Sequence, residues 1–229
     1  MTIITKRINC IFKLPYVTDG LVALWDGEWN AGIAKHNPNA NVWIDLVSGY
    51  AGAKAADAVQ WLDKACALNN GYFLVDPLPT PIRTAMDADT FTWEVCRNYK
   101  SGDGHYATID SSTIRNEFWA SGPNNANSYL SWHSPSFTSY CGSGGGRAKT
   151  THTFAIGGDA ITGYSRGVAY ATQTFTANGS IDATARLQLG GKRGITADIY
   201  CIRMYSRALS AAEIAANYAI DKRRFEIEN

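Results

Sequence analysis

No stretch of about 20 consecutive apolar residues occurs in the 229-residue chain, so no segment reads as a transmembrane helix. A secretory signal is missing too. The opening MTIITKRINCIFKLPYVTDG has neither a continuous apolar core nor a small-residue cleavage site. The chain is therefore expected to be soluble and made in the cytoplasm, reaching a virion or extracellular surface, if it works there, without a classical signal peptide. Charge of one sign is scarce as well. The net charge is +1, and the single basic cluster, Lys222-Arg223-Arg224, stands beside Glu226 and Glu228. Nucleic-acid binding needs a sustained basic face, which this sequence does not supply.

Cysteine chemistry is equally thin. Cys10, Cys66, Cys96, Cys141 and Cys201 are far apart and form no CxxC or Cys/His group with zinc spacing. An odd number leaves at least one thiol unpaired, and five free, mostly buried thiols in a reducing compartment is the simplest reading. The four histidines (His36, His105, His133, His152) fall in no HxH or HExxH pattern. The glycine run after Cys141 lacks the Lys-Ser/Thr of a phosphate loop and reads as a flexible hairpin. Nothing near Cys141 would lower a thiol pKa, so an ordinary strand-end cysteine is expected there, even with His152 nearby in sequence.

Aromatic residues, by contrast, abound: seven Trp, twelve Tyr and eight Phe, which suit strands and a packed core. Residues 90–99 alternate, with Phe91, Trp93 and Val95 on one face and Thr92, Glu94 and Cys96 on the other, the pattern of a strand with one buried face. Further strand signals lie at 20–27, 105–111, 114–120, 128–134, 151–158, 167–175, 185–191 and 197–205, separated by Gly/Asn/Ser turns. One segment is convincingly helical. Ser210 and Glu213 make a capping box, Leu209 and Ile214 a hydrophobic staple, and Ala211, Ile214 and Tyr218 an apolar stripe. Residues 50–70 are alanine-rich and compatible with helix or strands. No linker, repeat or composition shift divides the chain, which predicts a short extended arm over residues 1–15 and one all-β domain over residues 16–229.

Three segments carry a family resemblance. Residues 194–218, with Ile202, Arg203, Met204, Tyr205, Arg207, Ala208, Leu209, Ser210, Glu213 and Ile214 on the pattern, resemble the closing strand and helix of laminin-G-like jelly-roll domains of the concanavalin A-like lectin/glucanase superfamily. GLVALWDG (20–27) is similar to the first strand of such domains, and Phe91–Val95 to a central one. The resemblance implies an antiparallel two-sheet jelly-roll sandwich with one short C-terminal helix. It also favours strands over residues 50–70. Members often carry a calcium-ligating Asp three residues before the motif Arg. Here that position is Tyr200, expected to point into the core on strand parity with Ile202 and Met204. Asp198, Asp26 and Asp45 could contribute ligands but form no contiguous calcium loop, so no metal and no cofactor is the default expectation, with calcium as the alternative.

Retaining glycosidases of this fold need two carboxylates about 5–5.5 Å apart on one strand face. Glu94 and Glu117 each lack an acidic neighbour at i±2, and Asp87 and Asp89 read as solvated turn residues. A non-catalytic recognition or adhesion module is the resulting expectation, with a glycan or cell-surface polymer as partner. The ligand-binding candidates are Trp119, Asn124, Asn125, Trp132, His133, Arg147 and Tyr164, aromatics and amides at strand ends suited to sugar faces and hydroxyls. Trp119 and Trp132 are expected to be neighbours on adjoining strands. Trp25, Trp43, Trp61 and Trp93 are expected in the core, and Trp29 in an exposed turn. The alternatives are a virion decoration, tail or fibre protein acting through virion-protein contacts or homo-oligomerisation, and a carbohydrate-active enzyme of the same fold.

Overall fold

The computed structural model describes residues 16–111, 115–121, 127–134, 140–146, 148–176, 180–191 and 194–228. In chain order its strands are β1 (Leu21–Asp26), β2 (Val42–Ile44), β3 (Ala51–Lys54), β4 (Val59–Trp61), β5 (Cys66–Asn69), β6 (Tyr72–Val75), β7 (Thr90–Ser101), β8 (Gly104–Asp110), β9 (Arg115–Ser121), β10 (Asn127–Ser134), β11 (Tyr140–Gly142), β12 (Thr150–Gly157), β13 (Ala160–Ser165), β14 (Val168–Thr174), β15 (Arg186–Gly190) and β16 (Thr196–Tyr205). Helix α1 spans Thr80–Asp87 and helix α2 spans Ala211–Arg224. The strands form two eight-stranded antiparallel sheets. Sheet I runs β14-β13-β12-β7-β16-β5-β4, and β1 pairs with the second half of β16 where β5 leaves off. Sheet II runs β11-β10-β9-β8-β15-β6-β3-β2. Residues 50–70 are strands, as the resemblance implied. The predicted arm over residues 1–15 lies outside the described residues.

The two sheets face each other across an aromatic core. Phe91 of β7 stacks on Trp132 of β10 at 5.8 Å, Trp93 meets Phe118 of β9 edge-on at 5.9 Å, and Phe118 meets Phe154 of β12 at 4.9 Å. At the other end Trp43, Trp61 and Phe73 form a second knot. Such pairs add about 0.5–1.5 kcal/mol each beyond the area they bury. Trp25, Trp43, Trp61 and Trp93 are all buried, as expected, whereas Trp29 is only partly exposed because it packs under Arg224. The sheets touch at one margin. A Cβ on Gly163 of β13 would collide with the Gly142 carbonyl of β11, so glycine is needed where the layers close.

Three sequence expectations need correction. β7 is buried on both faces, not one: Thr92, Glu94 and Cys96 are as inaccessible as Phe91, Trp93 and Val95, because α2 covers the outward side. Tyr200 does not enter the core. A bulge between Ile199 and Cys201 breaks the parity of β16, so Tyr200 leans on Phe225 outside while Ile202 and Met204 resume inward. The buried stripe of α2 is Ile214, Asn217, Ile220 and Asp221; Ala211 is exposed and Tyr218 half-buried. The capping box and the apolar contact of Leu209 with Ile214 are present as predicted. Helix α1 was not foreseen. Its Pro81 sits in the first turn, where a missing N–H costs nothing, and Ile82, Ala85 and Met86 anchor it.

Two of the four residues that α2 buries are polar, and they explain its seating. Asp221 receives both terminal nitrogens of Arg203, at 2.7 and 2.6 Å, while Arg203 Nε donates to Glu94 at 2.7 Å. Asn217 donates to Glu94 at 2.9 Å and to the Tyr205 hydroxyl at 2.9 Å. Tyr16 donates to Asp221 at 2.6 Å and lays its ring over Arg203, and Thr151 and Thr153 bond the two carboxylates from β12. At the helix C-terminus Arg224 reaches Asp26 at 2.7 Å and Glu28 at 2.9 Å. Such a buried ionic cluster adds little net stability over an apolar one, but removing one member leaves a charge uncompensated. Arg203→Ala is expected to cost about 3–5 kcal/mol in chemical denaturation. A loss below 1 kcal/mol would show that Glu94 and Asp221 do not depend on it.

Candidate functional site

With α2 covering the central part of the outward face of sheet I, chemistry can lie in the interior, in surface clefts or on the outward face of sheet II. One interior cluster superficially resembles a catalytic relay. Ser143 Oγ is 2.8 Å from His152 Nδ1, and His152 Nε2 is 2.7 Å from Arg97 Nη2. A guanidinium only donates, so Nε2 accepts and the neutral ring carries its proton on Nδ1, donating to Ser143. A serine nucleophile needs the reverse polarity. Arg97 also donates to the carbonyls of Gly146 and Ala148 and to Ser128 Oγ, tying the 143–148 turn to the core. Burial, and then the Arg97 charge, hold the His152 pKa well below its usual value. Cys141 does not engage His152. Its thiol, raised by burial, lies 3.6 Å from the carbonyls of Ile161 and Ala171.

The three carboxylates considered for calcium are spoken for. Asp45 accepts backbone N–H groups of Leu24, Val47, Ser48 and Gly49, Asp26 binds Arg224, and Asp198 binds Lys100 at 2.6 Å. Among the described residues no three His, Cys, Asp or Glu side chains gather into a metal-sized group. Asp87 and Asp89 are structural rather than merely solvated. Asp87 accepts from Ile181 N, and Asp89 accepts from Trp132 Nε1 at 2.9 Å.

The outward face of sheet II is different in kind. On β9, Phe118 and Ala120 point inward while Glu117 and Trp119 point outward. Across the ladders Trp119 faces His105 of β8 and Tyr129 of β10, and Glu117 faces Thr108 and Ser131. A bulge between His105 and Ala107 turns Tyr106 into the core and leaves His105 outward. The half-buried rings of Trp119 and Tyr129 stack at 4.9 Å and 28°. His105 Nε2 lies 3.5 Å from Glu117 Oε2, both side chains nearly inaccessible. Gln188 of β15 extends the row opposite Thr108. Farther along the same face Asp110 and Arg186 line a cleft of about 660 Å³ with Asp76, Ser111 and Thr184.

This face carries unmet hydrogen-bonding capacity. Trp119 Nε1, Thr108 Oγ1 and Ser131 Oγ are buried atoms without a hydrogen-bond partner. Each such group costs about 1–3 kcal/mol when unsatisfied.

Of the residues singled out in the sequence, Trp119 lies on this face and His133 lies on β10 beside it, although the described structure does not extend to the His133 side chain. Asn124, Asn125 and Arg147 fall outside the described residues. Trp132 and Tyr164 are placed elsewhere. Trp132 shares parity with Leu130 and points into the core, so the ring beside Trp119 is Tyr129. Tyr164 belongs to sheet I, beneath α2 with Leu209 and Ile214. His105, Thr108, Tyr129, Ser131 and Gln188 were missed. The alternation of Glu117 and Trp119 against Phe118 signalled the face, but the β8 bulge hid its other half.

No protein-family model matches the chain, and no curated protein matches its sequence. Solved structures do match in fold. A Trypanosoma rangeli sialidase in complex with 2,3-difluorosialic acid superposes with a TM-score of 0.70 at 12% identity, over 96% of this chain and 38% of the sialidase. Domain 4 of a GH43 extracellular arabinanase from Geobacillus stearothermophilus, in complex with arabinotriose, gives 0.62 at 13% identity, over 86% of this chain and 98% of that domain. The binding domain of botulinum neurotoxin serotype D gives 0.63 at 12% identity, over 88% of this chain and 52% of that one. The chain thus spans well under half of the sialidase chains it matches, and the likeness is one of fold. The chain has the β-sandwich found in domains of glycan-binding and glycosidase proteins.

These matches overturn the expectation of a non-catalytic recognition or adhesion module, with its virion alternative. The leading structural neighbours are sialidases, and an arabinanase domain stands among the others.

The interior relay sets a pH dependence. His152 is harder to protonate folded than unfolded, so the unfolded state binds the extra proton and stability falls as pH drops below about 6.5. Denaturation midpoints of the wild type and His152→Gln, measured between pH 7.5 and 5, are expected to converge as pH falls. Parallel pH profiles would show that His152 contributes none of the acid sensitivity.

Proposed function

We propose that the chain is the saccharide-engaging β-sandwich of a carbohydrate-processing protein, holding its ligand along the outward face of sheet II. The observation that carries this reading is the stacked, half-buried Trp119–Tyr129 pair on that face. A pyranose or furanose ring offers C–H surface to an aromatic side chain, which is the complement of that pair. Glu117 and His105 lie next to the pair on the same face, nearly inaccessible, and the Asp110–Arg186 cleft gives room for further sugar units.

The residues directly opposite Glu117 are Thr108 and Ser131, so no second carboxylate stands across either strand from it. The reading gives this face the task of engaging saccharide within a carbohydrate-processing protein. Kinship with laminin-G-like jelly rolls forms part of the same reading. It is supported by Arg203, Tyr205, Ser210 and Glu213 of the closing motif, which together shape β16 and the start of α2. Oligosaccharide is the only partner the reading needs, and it requires no cofactor or calcium.

Calorimetric titration with a panel including arabinotriose and a sialylated trisaccharide tests this. At least one member is expected to bind, with affinity lowered about tenfold by Trp119→Ala and also weakened by Glu117→Gln, while both variants stay folded. Absence of binding across the panel, or binding that survives both substitutions, would remove the assignment.

A further inference from the structure

The strand orders of the two sheets end on four strands. Three of them, β2, β4 and β11, are three residues long. The fourth, β14, has seven, and its sequence VAYATQT contains no charge, proline or glycine. Val168 and Tyr170 on it are 68% and 65% exposed, the most exposed large apolar side chains among the described residues. Native edge strands are commonly shortened, charged, bulged or covered, because their free N–H and C=O groups invite another strand. On β14 the one such device is a bulge opposite Gly163 and Tyr164, and the strand runs regularly from Ala171 to Thr174. β11 of the other sheet approaches it, with Cys141 Sγ 3.6 Å from the Ala171 carbonyl, but forms no backbone ladder with it.

We propose that β14 is a homodimerisation edge, pairing antiparallel with β14 of a second copy so that the two copies of sheet I become one continuous sheet. A strand that pairs with itself about a two-fold axis normal to the sheet must tolerate its own sequence, residue i meeting j and j meeting i. β14 meets that condition because no like charges would be brought together within it. The charges at its ends are complementary. Exposed Arg166 precedes the strand, and exposed Asp159 lies beside its far end, where Phe175 N bonds the Asp159 carbonyl. Antiparallel pairing carries Arg166 of each copy toward Asp159 of the other. The β13–β14 turn rests on α2 at Gly167, close to Ala215, and the neighbouring exposed helix residues Ala211 and Ala212 are short. A pair of seven-residue strands gives an interface near or below the ~1,200 Å² lower bound of stable complexes, so the dimer is expected to be reversible and concentration-dependent.

Sedimentation velocity across a wide concentration series, with hydrogen exchange of the β14 amides at both ends of it, tests the proposal. The wild type is expected to pass from monomer to dimer while β14 amides gain protection. Val168→Lys and Tyr170→Lys, at exposed sites that leave the core intact, place like charges across the axis. Each is expected to raise the dimer dissociation constant about tenfold or more. A wild type that stays monomeric throughout, or a dimer unaffected by both lysines, would overturn the proposal. Open-ended assemblies instead of a dimer would contradict the closed two-fold pairing. None of these results depends on whether a saccharide binds sheet II.

Discussion

Arg203 lies at the centre of sheet I with no access to solvent, held by Asp221 from the helix above and Glu94 from the strand beside it. Taking a guanidinium out of water costs several kcal/mol, which the fold offsets only if every partner stands at hydrogen-bonding distance. That requirement fixes the register of α2 on the sheet more tightly than the burial of Ile214 and Ile220 could, since apolar contacts tolerate sliding. Tyr16 and Thr151 complete the shell around Asp221, so the entry to β1 and strand β12 are drawn into the same cluster. One face of the sandwich is thereby committed to structure.

The outward face of sheet II is the one to which the proposed saccharide site is assigned. Its residues are placed by the same alternation that builds the core. Each inward Phe118 or Leu130 obliges an outward Trp119 or Tyr129, and rigid strands hold those rings in contact. Thr108 and Ser131 bear a cost for being buried without partners. The same holds of Trp25 Nε1, Trp93 Nε1 and Thr150 Oγ1 elsewhere in the fold, so unmet polar atoms alone do not mark this face. The matches to sialidase chains and an arabinanase domain are matches of fold.

Much of the architecture was legible in the residues. Phe91, Trp93 and Val95 announced β7, and the Ser210–Glu213 box announced α2, because period-two alternation and capping are local signals. Less was legible where backbone irregularities intervene. The bulges at Tyr106 and Tyr200 shift strand parity by one, which moved Tyr200 outward and concealed His105. The polar outward side of β7 looked solvated because nothing local shows that Asp221, 127 positions after Glu94, will cover it. Trp132 was misplaced for a related reason. Cross-strand neighbours depend on register, and the ladder pairs Trp119 with Tyr129, three residues before Trp132, which puts Trp132 on the opposite face.

The division of labour between the two faces is most directly tested by amide chemical-shift mapping of the isotope-labelled protein during titration with a bound oligosaccharide. Perturbations are predicted along β8, β9, β10 and β15, centred on Glu117 and Trp119, with α2 and β16 unmoved. Shifts centred on α2, or on the free edge of sheet I, would contradict it.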